Sequence, residues 1–204
     1  MNQLGFDIKR KSRPIVVIPH RETWKTEFKD IGTRLRSILS TEALRIDHIG
    51  STSVPGLAAK DIIDIQITVQ DFDKLTEFID RLVANGLHYR EEIQADIFVG
   101  PEGGEARHWK KRFFKEADGE RGTNIHVREE GRLNQRYPLL FRDFLRNNAT
   151  VRMGYEQIKV RLSEIFPESI DGYLYIKDPL MDIIFEGATV WAKKTGWLPD
   201  DDYL

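Results

Sequence analysis

The stretch His48–Val69, "HIGSTSVPGLAAKDIIDIQITV", decides how this chain is read. An apolar strand, "ALRIDHI" (43–49), runs into Gly50, Ser51 and Thr52, and a loop carrying Pro55 and Gly56 leads to a second strand, "DIIDIQITV". There Ile63, Ile65, Ile67 and Val69 alternate with Asp64, Gln66 and Thr68, so one face is core and the other polar. A turn of glycine and hydroxyl residues offers backbone N–H groups to a phosphate, and glycine lets the anion approach without a Cβ in the way. Lys60 adds a point charge nearby. Asp64 emerges on the polar face with twelve residues between it and Ser51. A P-loop is excluded: five residues, not four, separate Gly50 from Gly56, and Leu57 stands where that motif has lysine. A tight structural turn between two strands fits the same local pattern.

Upstream, "PIVVI" (14–18) predicts a short strand, and Trp24, Phe28, Ile31, Leu35 and Ile38 form one helical apolar stripe. Downstream, a helix is predicted over 72–84, ended by "NG" at 85–86. Turn-bounded strands follow: "LHYREE", "ADIFV", the turn "GPEGGE", "ARHWKKRFFKEA" and "TNIHVRE". Beyond Gly131 three helical segments appear, with Pro179 expected to begin or kink the last one. The order predicts residues 1–131 as an α/β core and 132–204 as a helical segment packed on it, one domain overall.

Apolar residues make up 40% and charged residues 31% of the 204, ordinary values for a soluble globular chain. The formal net charge of −2 argues against nucleic acid as partner, so any anion site must be local. No cysteine is present, which removes disulfides and thiolate ligands. No apolar run approaches the length of a membrane span, and the N-terminal run is too short for a signal sequence; the cytoplasm is the expected location.

Several motifs recur in order that resemble the GrpB family over roughly residues 15–195: "HIGSTSVPGLAAKDIIDIQITV", "NIHV", "LLFRDFLRNN", "YEQIKVRLSEIF" and the segment from Tyr173 to Lys177. The pairs Gly50–Ser51 and Asp64–Ile65 are similar to the signature of the nucleotidyltransferase superfamily, the polymerase-β-like fold. The resemblance implies an α+β fold, with a nucleotidyltransferase-like mixed sheet flanked by helices and a helical C-terminal third. It also implies a nucleoside triphosphate or other phosphorylated small molecule as ligand, with a divalent metal, Mg²⁺ or Mn²⁺ first and another transition metal as alternative. Gln66 departs from the pattern, because the superfamily has its second acid there.

Gly50, Ser51, Thr52, Lys60 and Arg112 are the candidate phosphate-binding residues. Asp64, His126 and His48 are the candidate metal ligands, with His126 alternatively a general base. In strand alternation, the basic segment 107–115 puts Lys111, Phe113 and Lys115 on one face and Arg112 on the other. Lys159 and Lys177 fall in the family-like helical motifs and read equally well as surface residues. Two functions compete: metal-dependent nucleotidyl transfer to an unknown acceptor, or a non-catalytic module for a nucleotide, a CoA-type ligand or a protein partner.

Overall fold

The alternation in β2 (Ile63–Val69) sorts the molecule into two faces. In the computed structural model, which describes residues 6–97, 105–200 and 203–204, β2 lies inside a five-stranded sheet of order β1-β2-β5-β4-β3. The other strands are β1 (Ala43–Ile49), β3 (His88–Tyr89), β4 (Arg112–Lys115) and β5 (Thr123–Glu129). β2 and β5 pair in parallel and the remaining pairs are antiparallel. A parallel pair needs a crossover, supplied here by α2 (Thr76–Ala84) and the β3–β4 segment. The fold class is α+β.

Ile63, Ile65, Ile67 and Val69 are buried against Trp24, Phe28, Leu35 and Leu39 of α1 (Thr23–Leu39) and Phe78 and Leu82 of α2. Each such side chain contributes about 1.5–3 kcal/mol on burial. A slip of one residue would turn all four toward the polar face, so this core fixes the register.

The opposite face is covered by α3 (Leu133–Asn147), on which α4 (Ala149–Ile165) and α5 (Ile170–Thr195) pack through Phe141, Phe144, Tyr155 and Ala188. α3 meets the sheet through polar contacts. Gln66 donates from Nε2 to the Gln135 carbonyl at 3.0 Å, and Arg142 donates from Nη1 to the His48 carbonyl at 3.0 Å. Arg142 is 2% exposed and also bonds Asp143 and Asp200 at 2.7 and 2.8 Å, with the fully buried Asp47 3.9 Å away. The chain end returns to the sheet: Leu204 and Ile46 exchange two backbone hydrogen bonds of 3.1 Å, covering part of the β1 edge.

Two expectations differ from the structure, and of the two alternatives for Pro179 the helix start is excluded. "PIVVI" forms no strand; Ile18 makes one bridge to Ala59, while Ile15 bonds the Pro167 carbonyl, so the segment is an extended tie between loops. Residues 106–109 form a short 3-10 turn, and β4 begins only at Arg112. Pro179 lies inside α5 and does not begin it. Its missing N–H leaves the Tyr175 carbonyl without a helical donor, and both residues are exposed, so water can take that place. Residues 98–99 of "ADIFV" and 100–104 of the following turn lie outside the described residues.

Replacing Arg142 removes the cation shared by Asp47, Asp143 and Asp200 and leaves carboxylates buried without it. Arg142→Ala is therefore expected to cost on the order of 3–5 kcal/mol of folding free energy, read from the urea midpoint. A loss below 1 kcal/mol, as an exposed ion pair gives, would contradict this account of how α3 is held to the sheet.

Candidate functional site

The antiparallel register of β1 and β2 sets Ile49 opposite Asp64, so the glycine that follows Ile49 comes to rest against the Asp64 side chain. Gly50 has φ of +70°, and a Cβ there would lie 2.8 Å from the Asp64 Cβ and closer still to Oδ2. Only glycine meets both demands, the left-handed φ and the close approach. Ser51, Thr52 and Ser53 then make a single 3-10 turn, closed by the Ser53 hydroxyl donating to the Gly50 carbonyl at 2.6 Å.

On the α3 face the strands build parallel rows. In the first, Asp64 stands beside Asn124 of β5, and Asn124 beside Lys115 of β4. Asn124 donates from Nδ2 to Asp64 Oδ1 at 2.6 Å. In the second row, Gln66 stands beside His126, and His126 beside Phe113, whose ring centroid is 4.9 Å from the imidazole. In the third, Thr68 stands beside Arg128. The second and third rows are closed by their own contacts. Arg128 donates to Gln66 Oε1 at 2.8 Å and to both carboxylate oxygens of Asp96, which also holds Lys111 at 2.7 Å. In the first row Asp64, Asn124 and Lys115 are each half-buried.

Four lysines gather around Asp64. Lys60 precedes β2, Lys115 ends β4, Lys159 comes from α4 and Lys177 from α5. Lys60, Lys177 and Lys115 all lie close enough to favour the charged form of Asp64. Lys177 pairs with Asp178 at 3.2 Å. Among the described residues Lys60, Lys115 and Lys159 form no ion pair with a carboxylate: Lys60 lies 5.4 Å from the Tyr173 ring centroid, and Lys159 donates to the Ala58 carbonyl and lies 4.9 Å from the Tyr155 centroid. Ser51 in turn lies close enough to the Tyr155 hydroxyl to favour its ionised form. The protonation equilibria record this crowding. Burial pushes Asp64 above the usual carboxylate range, and the Asn124 hydrogen bond and the three lysines offset that only in part. Burial first, and Lys177 second, draw Lys159 down to about 7. Burial lowers Lys60 as well.

The expected residues separate into two groups. Gly50, Ser51 and Lys60 lie together around Asp64. His48, Thr52 and Arg112 do not. His48 is on the α1 face, stacked on Phe28 at 4.7 Å, with Nε2 3.0 Å from the Thr52 hydroxyl, so both residues turn into the layer behind the turn. Arg112 lies over the Phe72 ring at 4.7 Å on that same face, since it alternates with Phe113 and Lys115. His126 belongs to the second row, where burial and then Arg128 and Lys111 hold its imidazole well below the ordinary histidine range. It is therefore neutral and a weak base.

Among the described residues no group of three or more His, Asp or Glu side chains is placed to hold a metal ion. The donors around Asp64 do not fit a two-metal centre: Asn124 directs an N–H at one oxygen, the other oxygen abuts Gly50, and the position of the second acid is a glutamine already held by Arg128 and Gln135. The cations present are ammonium groups.

The GrpB protein family matches residues 14–186, with the glycine turn, Asp64, all four lysines and α3 inside that span. The chain belongs to the GrpB family. A solved GrpB structure from Enterococcus faecalis overlays with a TM-score of 0.70 at 29% identity, covering 86% of this chain and 99% of that one. A protein of Mycolicibacterium paratuberculosis named dephospho-CoA kinase is 35% identical over 199 residues, 91% of this chain and 49% of that protein. The chain thus spans about half the length of the curated relatives it matches first. A UPF0157 protein of Halalkalibacterium halodurans is 31% identical, over 89% of this chain and 86% of its own length. Among the described residues of this GrpB-family chain no helix is long and apolar enough to cross a membrane.

Asn124, Lys115, Tyr155, Lys159 and Lys177 were not among the expected site residues. Two of them carry a sequence signal. Tyr155, Lys159 and Leu162 follow helical spacing, and all three are buried on one stripe of α4. A lysine standing in an apolar stripe is out of place for a surface residue. Lys177 repeats the pattern four residues after buried Tyr173.

Two outcomes follow. Gly50→Ala must carry a Cβ at positive φ and displace the Asp64 carboxylate; a loss of about 1–2 kcal/mol from the backbone alone is expected in thermal unfolding, with a further loss from the clash. Wild-type stability in that variant would show that the turn does not abut Asp64. Lys159, at about 7 in the fold against 10.5 when unconstrained, is penalised in its charged form below about pH 7, and that penalty is relieved as pH rises toward 10.5. Urea midpoints at about pH 6.5 and 9.5 should therefore show a rise that Lys159→Met flattens; an identical pH profile in the variant would refute the burial of this ammonium.

Proposed function

We propose that this GrpB-family protein has a cleft between the Gly50 turn and helices α4 and α5 and binds there a phosphorylated small molecule of the nucleotide or CoA type. One observation carries the reading: three lysines that form no ion pair among the described residues gather around one aspartate and a glycine-serine turn. Buried cations are costly unless compensated, and an array of them without matching carboxylates is compensated by an anionic ligand. The amides and hydroxyl of the turn would orient the phosphate, and the lysines would neutralise it. The ligand class is also that which the name dephospho-CoA kinase attaches to longer relatives of this chain.

Asp64 beside Gly50 keeps a second reading in view, nucleotidyl transfer, because that juxtaposition is what the resemblance to the superfamily implies. Gln66 weighs against it. Its carbonyl and amide are both engaged in structural hydrogen bonds, and it is wholly buried. The reading we favour is therefore the binding module. Nucleic-acid binding has less support, because Phe113 and Phe114 of the basic strand are buried and offer no stacking face.

Isothermal titration with ATP, CoA and inorganic tripolyphosphate tests the proposal. At least one should bind, more weakly as salt rises, and Lys60→Met and Lys115→Met should each weaken binding on the order of tenfold. Retained affinity in both variants would place the ligand elsewhere. Label transferred from a triphosphate to a metabolite pool in the presence of Mg²⁺ or Mn²⁺, and abolished in Asp64→Asn, would establish the transfer reading instead.

A further inference from the structure

We infer that the cleft takes its phosphorylated ligand free of divalent metal, with Lys60, Lys115, Lys159 and Lys177 standing where a nucleotidyl-transfer site has its metal ions. The inference rests on the phosphate-binding reading above and specifies the ionic form of the ligand.

Charge distribution within the cleft supports it. The negative groups of the site are Asp64, Asp178, which pairs with Lys177, and Glu156, whose Oε2 accepts the Ala58 N–H at 2.8 Å. Facing them are four ammonium groups, three of them outside any ion pair among the described residues. A divalent cation at Asp64 would add two positive charges to a group that already repels itself: beyond burial, Lys177 and Lys115 disfavour the charged form of Lys60, and Lys177 and Lys60 that of Lys159. A polyphosphate without its metal adds negative charge and relieves that repulsion.

The donor chemistry agrees. Mg²⁺ requires oxygen ligands at near-octahedral positions and is held by carboxylates together with substrate phosphates. Here the polar groups that share the row with Asp64 are an amide N–H, bonded to it directly, and beyond that an ammonium; its other neighbour is Ile49. The neighbouring row cannot contribute. Gln66 is fully buried, its Oε1 accepts from Arg128 and its Nε2 donates to a main-chain carbonyl. The structural use of this residue explains why an acid is absent: a carboxylate at position 66 would confront the Gln135 carbonyl without a donor.

The sign of one mutation separates this inference from metal-assisted binding. Where Asp64 holds a metal, its removal abolishes binding. Where Asp64 only tempers a cluster of lysines, Asp64→Asn strengthens anion binding. The experiment is titration of the whole chain with inorganic tripolyphosphate and with ATP, in EDTA and in excess Mg²⁺. The inference expects affinity in EDTA to equal or exceed that in Mg²⁺, and Asp64→Asn to tighten binding in EDTA by about threefold or more. Gln66→Glu, a second variant, should give no gain in Mg²⁺-dependent affinity. Binding that needs Mg²⁺ and disappears in Asp64→Asn overturns the inference and leaves the phosphate-binding reading intact. Absence of binding in both EDTA and Mg²⁺ overturns both.

Discussion

The site depends on a single cross-strand pairing, Ile49 with Asp64. The isoleucines of β2 hold that register by burying one face against α1 and α2, and the polar face has no freedom once they are placed. Glycine at position 50 is the consequence. The chain must turn sharply at the end of β1, directly against a carboxylate, and no side chain fits between them. Core packing on one side of the sheet thus aims the Gly50 turn and the aspartate at each other on the opposite side.

The remainder of the polar face is engaged in structural contacts. Rows two and three hold Gln66, His126, Thr68 and Arg128, tied to Asp96 and to α3 by hydrogen bonds that leave few polar groups open. Buried amides and guanidinium groups are costly when unsatisfied, so each partner constrains the next. This accounts for an imidazole held neutral and a glutamine held in place, two residues that the sequence would otherwise offer to a metal. α4 and α5 bring Lys159 and Lys177 close to Asp64 of the first row, so the helical third supplies much of the charge around it.

Period-two alternation made β1, β2 and β5 legible from the sequence, and 3.6-residue periodicity did the same for α1, α2 and the C-terminal helices. Elements whose form depends on distant partners were not legible. "PIVVI" looks like a strand but has only one bridging residue, and "ARHWKK" has strand-like composition but closes into a turn before β4. The same division runs through the site. Gly50, Ser51, Lys60 and Asp64 are near one another in sequence and were recognisable together. Asn124, Lys115, Lys159 and Lys177 join them only through sheet order and helix docking. His48 was misleading because it sits one residue before Ile49, and a difference of one position in a strand is a difference of face. Arg112 was misleading for the same reason, since Lys115 is on the site face and Arg112 is not.

A cavity of about 220 Å³ behind the turn, lined by Phe28, His48, Thr52, Ser53, Arg142 and Arg146, offers the competing location for an anion. The most direct test of the account is therefore a crystal structure of the protein with a nucleoside triphosphate in the presence of EDTA. The account predicts phosphate oxygens within hydrogen-bonding distance of the Lys60 and Lys115 ammonium groups and of the Gly50–Ser51 turn. Phosphates seated instead in that cavity against Arg146, with the four lysines untouched, would contradict it.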